Sequence, residues 1–260
     1  SDIAKKKGAT VLNEKKIGKG NAVRKLLNNV ESDIFILIDG DLTYETKYIE
    51  KNINFLIKNN YDLIIGKRTN YSKDSFPFGH LLGNKIFNFV IRVFYGDKVT
   101  DVLSGYRIFN KKLAKSWPIK SDGFETEVEM TIHALMMNYS ISEVPVSYKK
   151  RPKNSVSKLL TLRDGLRIMF KIFSLTISYK PLLIFSLIST IKILILLILL
   201  IPIFLNFTQT GLVEKGPVLF LSITLGILCV MSFIVGIILE FTVFFKKDLK
   251  PRINKIGKKK

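Results

Sequence analysis

Residues 34–41 read Ile-Phe-Ile-Leu-Ile-Asp-Gly-Asp, and this stretch decides the fold that the sequence predicts. Its five apolar residues, 34–38, suit a strand that is buried on both faces, as in a mostly parallel sheet. The run stops at Asp39 and Asp41, so both carboxylates fall at the C-terminal edge of the strand. Open α/β sheets bind their ligands at that edge. We therefore expect an α/β domain with a site around these two carboxylates.

The pair of carboxylates indicates a cation site. Asp39 and Asp41 can face one point if the chain turns at Gly40. Two hard oxygen ligands this close together suit Mg²⁺ or Mn²⁺ that is shared with the phosphates of a substrate. A solvated turn after the strand is the alternative, because Asp and Gly also favour turns. This segment alone leaves both interpretations open.

The segments around this strand alternate in type. Residues 9–12 predict a short strand and residues 61–66 a short buried one, whereas 21–30, 45–59 and 81–95 predict helices. Strands that alternate with helices are typical of βαβ units in an α/β domain.

Cationic residues follow the predicted elements. Lys67 and Arg68 come directly after the strand at 61–66, so they fall on the expected ligand-binding edge. Residues 18–20, Gly-Lys-Gly, open the first long helix, where glycines allow a ligand to approach the backbone and Lys19 can meet a phosphate. The tripeptide is too short for a P-loop, and an ordinary loop before a helix explains it at least as well.

Two later segments combine acids with other polar residues. Residues 100–107 hold Asp101, a Ser-Gly turn and Arg107, and the acid and the arginine could simply pair with each other. Residues 124–129 place acids at every second position, which also suits the first turn of a helix because acids there complement the helix dipole. Residues 141–148 predict a last strand, at a sheet edge because it contains a proline.

Two long apolar runs predict a membrane hairpin. Residues 182–207 and 218–245 each exceed the roughly 20 residues that cross a bilayer core as a helix, and two buried core helices are the alternative. The link at 208–217 has few charges, whereas both flanks, 149–180 and 246–260, are rich in Lys and Arg. The positive-inside rule then puts the flanks in the cytoplasm and the link outside.

The formal net charge of +20 does not by itself indicate nucleic-acid binding. Much of the basic charge flanks the apolar runs, where anionic lipids attract it, and residues 156–179 predict a basic amphipathic helix that lies in the membrane interface. We find no zinc-finger, RNP or recognition-helix pattern, so we expect no nucleic-acid partner. The single cysteine, Cys229, excludes a disulfide within the chain.

In this order, the pieces resemble the membrane-bound family 2 glycosyltransferases that act on polyprenyl phosphates, such as dolichyl-phosphate mannosyltransferases and bacterial undecaprenyl-phosphate glucosyltransferases. The resemblance runs from about residue 8 to the end of the chain. The matching motifs are Gly-Lys-Gly at 18–20 with Ala22 and Arg24, Asp-Gly-Asp at 39–41, Gly-Lys-Arg at 66–68, Asp-Val-Leu-Ser-Gly-Tyr-Arg at 101–107, Phe-Glu-Thr-Glu at 124–127, and residues 151–158.

The resemblance implies a fold and an activity. The fold is an α/β GT-A (Rossmann-like) domain at 1–150, then a juxtamembrane segment at 151–180, a transmembrane hairpin at 181–245 and a basic cytoplasmic tail at 246–260. The activity is inverting, metal-dependent transfer of a sugar from a UDP- or GDP-sugar to a polyprenyl phosphate. The product, a lipid-linked monosaccharide, serves cell-envelope polysaccharide or glycoprotein glycosylation. Membrane lipids and a second copy of the chain are further implied partners.

The resemblance also assigns roles to residues. Asp39 and Asp41 would hold Mg²⁺ or Mn²⁺ and the donor diphosphate, and Asp101 would lie near the acceptor; we take Asp41 and Asp101 as catalytic. Candidates for substrate binding are Lys19, Asp39, Arg68, His80, Arg107, Arg151 and Lys158.

The chain departs from the family pattern in places. It begins without the family's opening strand, so we expect an incomplete nucleotide site in a truncated chain. Thr43 stands where many mannosyltransferases have Gln. His80 stands near a phosphate-binding Arg of some relatives, although we favour the explanation that it is only a loop residue. A polysaccharide synthase is a weaker interpretation, because its Gln-x-x-Arg-Trp segment is missing. A catalytically inactive, basic, membrane-anchored interaction protein is the other alternative.

Overall fold

A computed structural model of the protein describes residues 2–69, 80–149 and 161–256. The chain divides into two compact units, Ser1–Phe173 and Ser174–Lys260. The division falls inside the predicted juxtamembrane segment, 151–180. The predicted domain boundaries remain predictions.

The first unit alternates helices and strands. In chain order its elements are α1 (Asp2–Lys6), α2 (Lys19–Asn29), β1 (Ile34–Leu37), α3 (Ile49–Lys58), β2 (Leu63–Thr69), α4 (His80–Tyr95), β3 (Arg107–Asn110), α5 (Lys111–Ser116), α6 (Thr126–Met136), β4 (Ile141–Ser147) and α7 (Thr161–Tyr179), which ends in the second unit. The predicted helices at 21–30, 45–59 and 81–95 and the predicted strands at 61–66 and 141–148 are confirmed within a few residues. The strand predicted at 9–12 is wrong, because these residues form no strand.

The four strands form one mixed sheet in the order β1-β3-β2-β4. β3 runs antiparallel to both of its neighbours, with Phe109 opposite Phe35 on one side and Leu63 on the other. β2 and β4 run parallel, and β4 is an edge strand as the sequence predicted. The mostly parallel sheet that we expected is therefore wrong for the described strands.

β1 also departs from its prediction. Phe35 is buried, but Ile36 is 41% exposed, so the strand is covered on one face more than on the other. An apolar run alone does not reveal which face of a strand another element covers, and this is why burial on both faces was predicted.

The core lies where α3 packs on the sheet. Leu56 of α3 is buried beside Ile64 of β2 and Ile108 of β3, with Ile49 and Ile53 of α3 packed against the same cluster. The remaining buried members of the cluster are Tyr44, Tyr106, Val146 and Tyr148. This packing fixes the strand ends from which the polar residues emerge.

The second unit is a helical hairpin. Helices α8 (Pro181–Thr210) and α9 (Gly216–Ile256) approach closely at Gly236, where a Cβ would lie 2.7 Å from Cβ of Phe185. Ser189 Oγ donates a hydrogen bond of 3.2 Å to the carbonyl of Cys229. Such small and hydroxyl-bearing residues are typical of helix contacts in membranes.

Two helices of the described chain are long enough and apolar enough to cross a membrane, namely Pro181–Thr210 and Gly216–Phe245. In each of these two helices, only 11% of the most apolar stretch is buried within the protein. A core helix of a soluble domain would be mostly buried, so this alternative does not fit the two helices.

Candidate active site

The carboxylate of Asp39 lies against the backbone of Gly105. A Cβ on Gly105 would lie 2.1 Å from Oδ2 of Asp39, which no real side chain tolerates. The position of Gly105 is fixed in turn, because its N–H donates a hydrogen bond of 2.8 Å to the hydroxyl of Tyr44. The loop before β3 therefore packs directly against the Asp39 carboxylate, and glycine is required at position 105 for this close approach.

Asp41 is oriented by its own turn. Its Oδ1 accepts hydrogen bonds from the backbone N–H of Thr43 at 3.2 Å and from the Thr43 hydroxyl at 2.5 Å. Leu42 between them has a φ of 63°, a left-handed conformation that bulky residues rarely adopt. Thr43 thus fixes the Asp41 carboxylate.

Asp39 and Asp41 offer carboxylate oxygens, which are the ligands that Mg²⁺ and Mn²⁺ prefer. In the described part of the chain no group of three or more His, Cys, Asp or Glu residues could hold a metal ion. Mg²⁺ is often bound by one or two carboxylates, with substrate phosphates and waters completing its shell. Asp39 and Asp41 match that donor set, and they would hold an ion of this kind in company with a diphosphate.

Lys19 joins two acidic side chains at the start of α2. Its ammonium forms ion pairs with the carboxylates of both Asp39 and Glu127. Burial alone would lower the pKa of Lys19, but the charges of Glu127 and Asp39 outweigh burial and raise it. Lys19 therefore stays positively charged beside the proposed cation site.

Glu127 is a site residue that sequence reasoning missed as such. It lies in the first turn of α6 and is only 3% exposed. One carboxylate oxygen pairs with Lys19, while Oε2 is buried and has no hydrogen-bond partner among the described residues. The alternating acids at 124–129 were the available signal, but the helix dipole explained them equally well.

Arg68 and Asp101 form a two-pronged ion pair. Nε of Arg68 lies 2.8 Å from Oδ2 of Asp101, Nη2 lies 2.6 Å from Oδ1, and the backbone N–H of Arg68 also donates to Oδ2 at 3.0 Å. Burial alone would lower the pKa of Arg68, but the hydrogen bond and charge of Asp101 outweigh it and raise the pKa. Asp101, which is 5% exposed, therefore holds Arg68, and its predicted role beside the acceptor stays a prediction.

Glu143 of β4 supports this ion pair by fixing the backbone at Thr100 and Asp101. Its carboxylate accepts hydrogen bonds from the backbone N–H of Thr100 at 2.8 Å and of Asp101 at 3.0 Å, and from the Thr100 hydroxyl at 2.6 Å. No motif in the sequence indicated this role.

The prediction that Arg107 binds substrate is wrong for this structure, because the residue is 0% exposed. Its guanidinium donates to the carbonyls of Ser104 at 3.1 Å and Val102 at 2.7 Å, and to the Thr131 hydroxyl at 2.9 Å. The alternative that Arg107 pairs with Asp101 is also not what the hydrogen bonds show, since the fork on Asp101 comes from Arg68. Arg107 instead holds the loop before β3 to α6.

Three predicted site residues cannot be compared with the structure. Arg151 and Lys158 lie outside the described residues. His80 begins α4, but its side chain is also outside the described part of the protein.

An amphipathic groove lies between α4 and the segment that contains Asp97, Val99 and Thr100. It has a volume of about 390 Å³, and Lys85 and Arg92 of α4 line it together with the ring of Phe89. The exposed apolar residues of α4 recur at helical spacing, and α7 has a similar stripe. These exposed residues are Leu82, Ile86, Phe89 and Val93 of α4 and Leu162, Leu166 and Phe170 of α7.

Comparison with known proteins identifies the family. The sequence profile of "Glycosyl transferase family 2" matches residues 2–117. An uncharacterized protein of Shigella flexneri, SF2094/S2216, is 39% identical over 149 residues, which are 57% of this chain and 91% of that protein. The chain belongs to glycosyl transferase family 2. The loop and strand ends described above are thus those of a glycosyltransferase domain.

Two Haloferax volcanii proteins are similar over more of the chain. "Glycosyltransferase AglJ" is 30% identical over 71% of this chain and 61% of that protein. "Dolichyl-phosphate hexose transferase" is 28% identical over 58% of this chain and 65% of that protein. The chain thus spans less than two thirds of the length of each.

Solved structures agree on the fold. Glucosyl-3-phosphoglycerate synthase from Mycobacterium tuberculosis, crystallised with Mn²⁺, UDP-glucose and phosphoglyceric acid, superposes with a TM-score of 0.50 at 17% identity. The match covers 66% of this chain and 62% of that one. The α/β unit has the GT-A fold, as the family resemblance implied.

Proposed function

We propose that the protein is a membrane-bound, metal-dependent glycosyltransferase that moves a sugar from a nucleotide-sugar donor to a polyprenyl phosphate. The observation that carries this proposal is that the loop before β3 contacts the carboxylate of Asp39, which binds one cation, and itself holds a second cation. Gly105 lies against Asp39, whose carboxylate binds Lys19, and Asp101 of the same loop holds Arg68. Anionic donor and anionic acceptor both require such positive charge.

The residues divide the electrostatic work of the reaction. A bound divalent cation would stabilise the negative charge that develops on the nucleoside diphosphate as it leaves. Asp39 and Asp41 would hold that cation, and Lys19 adds positive charge beside Asp39. The acceptor phosphate, with a second pKa of about 6, is already ionised near neutral pH and needs no general base. We assign Arg68 to the binding of a phosphate. The acceptor oxygen then displaces the nucleoside diphosphate in one step, which inverts the anomeric carbon.

The groove beside α4 suits the acceptor that we propose. Lys85 and Arg92 outnumber Asp97 in the lining and supply positive charge for a phosphate, and Phe89 supplies apolar surface for a hydrocarbon chain. The similarity to the Haloferax dolichyl-phosphate hexose transferase supports a polyprenyl phosphate rather than a soluble acceptor.

We further propose that α8 and α9 cross the membrane and that the catalytic unit and both ends of the hairpin face the cytoplasm. Length and composition of both helices support the spans, and the basic flanks support the orientation. The apolar stripes of α4 and α7 support contact of the catalytic unit with lipid.

Binding of UDP and GDP, each titrated with and without Mn²⁺, tests the metal–diphosphate part of this proposal. We expect binding of one nucleotide to require Mn²⁺ and to be lost in Asp41→Asn. Asp33→Asn is the matched control, because Asp33 is an exposed residue at the other end of β1. An interaction protein without catalytic function would bind neither nucleotide, with or without Mn²⁺, and this result would overturn the proposal.

A further inference from the structure

We propose that Lys171 and Glu129 are positioning residues that tie α7 to the start of α2, where Lys19 lies. The inference rests on the proposed function, because the proposed function makes the donor diphosphate the ligand beside Lys19. Three contacts connect the two helices. They run from α7 to α6, from α6 to residues 119–122, and from there to residues 18–20.

The first contact is a buried ion pair. Nζ of Lys171 lies 3.3 Å from Oε2 of Glu129, and their side chains are 17% and 3% exposed. Removing one partner of such a pair leaves the other charge buried without compensation, which is costly. The pair therefore holds α7 and α6 in one arrangement.

The second contact joins Glu129 to the following loop. Its carboxylate accepts hydrogen bonds from the backbone N–H of Lys120 at 2.9 Å and of Ser121 at 2.7 Å, and also from the Ser121 hydroxyl. Glu129 thus uses both oxygens to position the backbone of residues 120–121. These hydrogen bonds explain why Glu129 is a buried acid better than the dipole of α6 does.

The third contact places that backbone directly against the glycines around Lys19. The N–H of Gly20 donates a hydrogen bond of 2.8 Å to the carbonyl of Asp122. A Cβ on Gly20 would lie 2.0 Å from the carbonyl oxygen of Ser121, and one on Gly18 would lie 2.1 Å from that of Asp122. The two backbones are in direct contact with no space between them. A shift of Ser121 therefore displaces the start of α2 and the ammonium of Lys19 with it.

Arg24 closes the same arrangement from α2. Its Nε donates to the carbonyl of Ile119 at 3.0 Å and its Nη2 to that of Ser121 at 3.1 Å. At the other end of the chain of contacts, α7 buries Ile168 and Ile172 and exposes an apolar stripe. The helix that we propose to contact lipid therefore also supports the start of α2.

Lys171→Met and Glu129→Gln test the inference, with Arg167→Met as the matched control. Arg167 lies one turn before Lys171 on α7, carries the same charge and is exposed. We expect dissociation constants for UDP or GDP with Mn²⁺ to rise about tenfold in the two test variants and to stay within about twofold in the control, and Lys171→Arg to restore binding.

A second readout does not depend on nucleotide binding. Trp117, the single tryptophan, is buried two residues before Ile119, so its fluorescence reports on the supporting loop. We expect its emission to shift in Lys171→Met and not in Arg167→Met, with circular dichroism confirming that both fold. Should Lys171→Met instead unfold the protein, the double variant Lys171→Met/Glu129→Gln, which buries no lone charge, must show the same emission shift in a folded chain.

The outcomes separate this inference from the proposed function. If the unchanged protein binds neither nucleotide but Trp117 responds as expected, the contacts stand and the proposed ligand is wrong. If emission in the folded test variants, or nucleotide affinity in a binding-competent protein, matches that of the Arg167→Met control, the positioning role of Lys171 and Glu129 is overturned.

Discussion

The α carbon of Gly105 lies so close to Asp39 that an added Cβ would be 2.1 Å from Oδ2 of the carboxylate. Glycine is therefore needed at position 105 to keep the first acid of the pair in place, although its own backbone conformation is not left-handed. The relationship links the loop before β3 to the proposed cation site by direct contact.

Gly105→Ala should consequently displace Asp39 and weaken Mn²⁺ binding at least about tenfold, as is typical when the support of a metal ligand is removed. Electron paramagnetic resonance of free Mn²⁺ in the presence of UDP or GDP measures the affinity. Gly83→Ala is the control, because a Cβ there meets only an ordinary contact of 3.6 Å. Unchanged Mn²⁺ affinity in Gly105→Ala would show that Asp39 does not bind the cation.

Glu127→Gln should destabilise the protein by about 2 kcal/mol, because it removes a charge-assisted hydrogen bond of Lys19 while Asp39 remains as its partner. Thermal unfolding in detergent measures the effect. Glu50→Gln provides the comparison, since Glu50 also lies in the first turn of a helix but is exposed. Equal losses in the two variants would mean that the helix dipole alone explains Glu127.

The pH dependence of stability should show the Lys19 ion pairs. The pKa of Lys19 is raised above the ordinary value of 10.5, so its stabilisation is complete below that pH and is lost as the pH rises through the folded-state pKa. The melting-temperature difference between the protein and Lys19→Met should stay constant from about pH 7 to pH 9 and shrink only above about pH 10.5. A difference that disappears below pH 9 would contradict the assignment.

Arg68→Lys should lower kcat/KM for the lipid phosphate about tenfold, because a lysine cannot reproduce the fork on Asp101 and loses a charge-assisted hydrogen bond. Asp101→Asn should act in the same direction, since it releases Arg68. Lys67→Gln is the control: successive side chains of β2 point to opposite faces, and Lys67 is exposed. An effect of Lys67→Gln equal to that of Arg68→Lys would reduce the role of Arg68 to general charge.

The sequence predicted those parts of the fold that depend on local periodicity. The apolar spacing of 45–59 identified α3, and the short apolar run at 61–66 identified β2, each within a few residues. Strand pairing did not follow in the same way. β3 lies between β1 and β2 and antiparallel to both, and such contacts join residues far apart in the chain.

The site was predictable where chemistry and position coincide. Asp39, Asp41 and Lys19 were indicated by residue type at an element boundary, and the ion pair of Lys19 with Asp39 brings two of them together. Arg107 looked equally suitable in the motif, but its place in the central strand β3 buries it completely.

Other residues were hidden from sequence reasoning for a different reason. Glu127, Glu129 and Glu143 contribute through contacts with distant segments, and a carboxylate in a helix or strand has several ordinary explanations. Only the three-dimensional structure distinguishes a supporting acid from a solvated one.

Transfer of radiolabelled sugar to undecaprenyl phosphate, from a panel of UDP- and GDP-sugars in detergent with Mn²⁺ or with EDTA, tests the central claim most directly. We predict labelled lipid from one donor, only with Mn²⁺, and none from Asp41→Asn, while Asp33→Asn remains active. Labelled lipid formed equally in EDTA, or by Asp41→Asn at the rate of the unchanged protein, would contradict the claim that Asp39 and Asp41 act through a divalent cation.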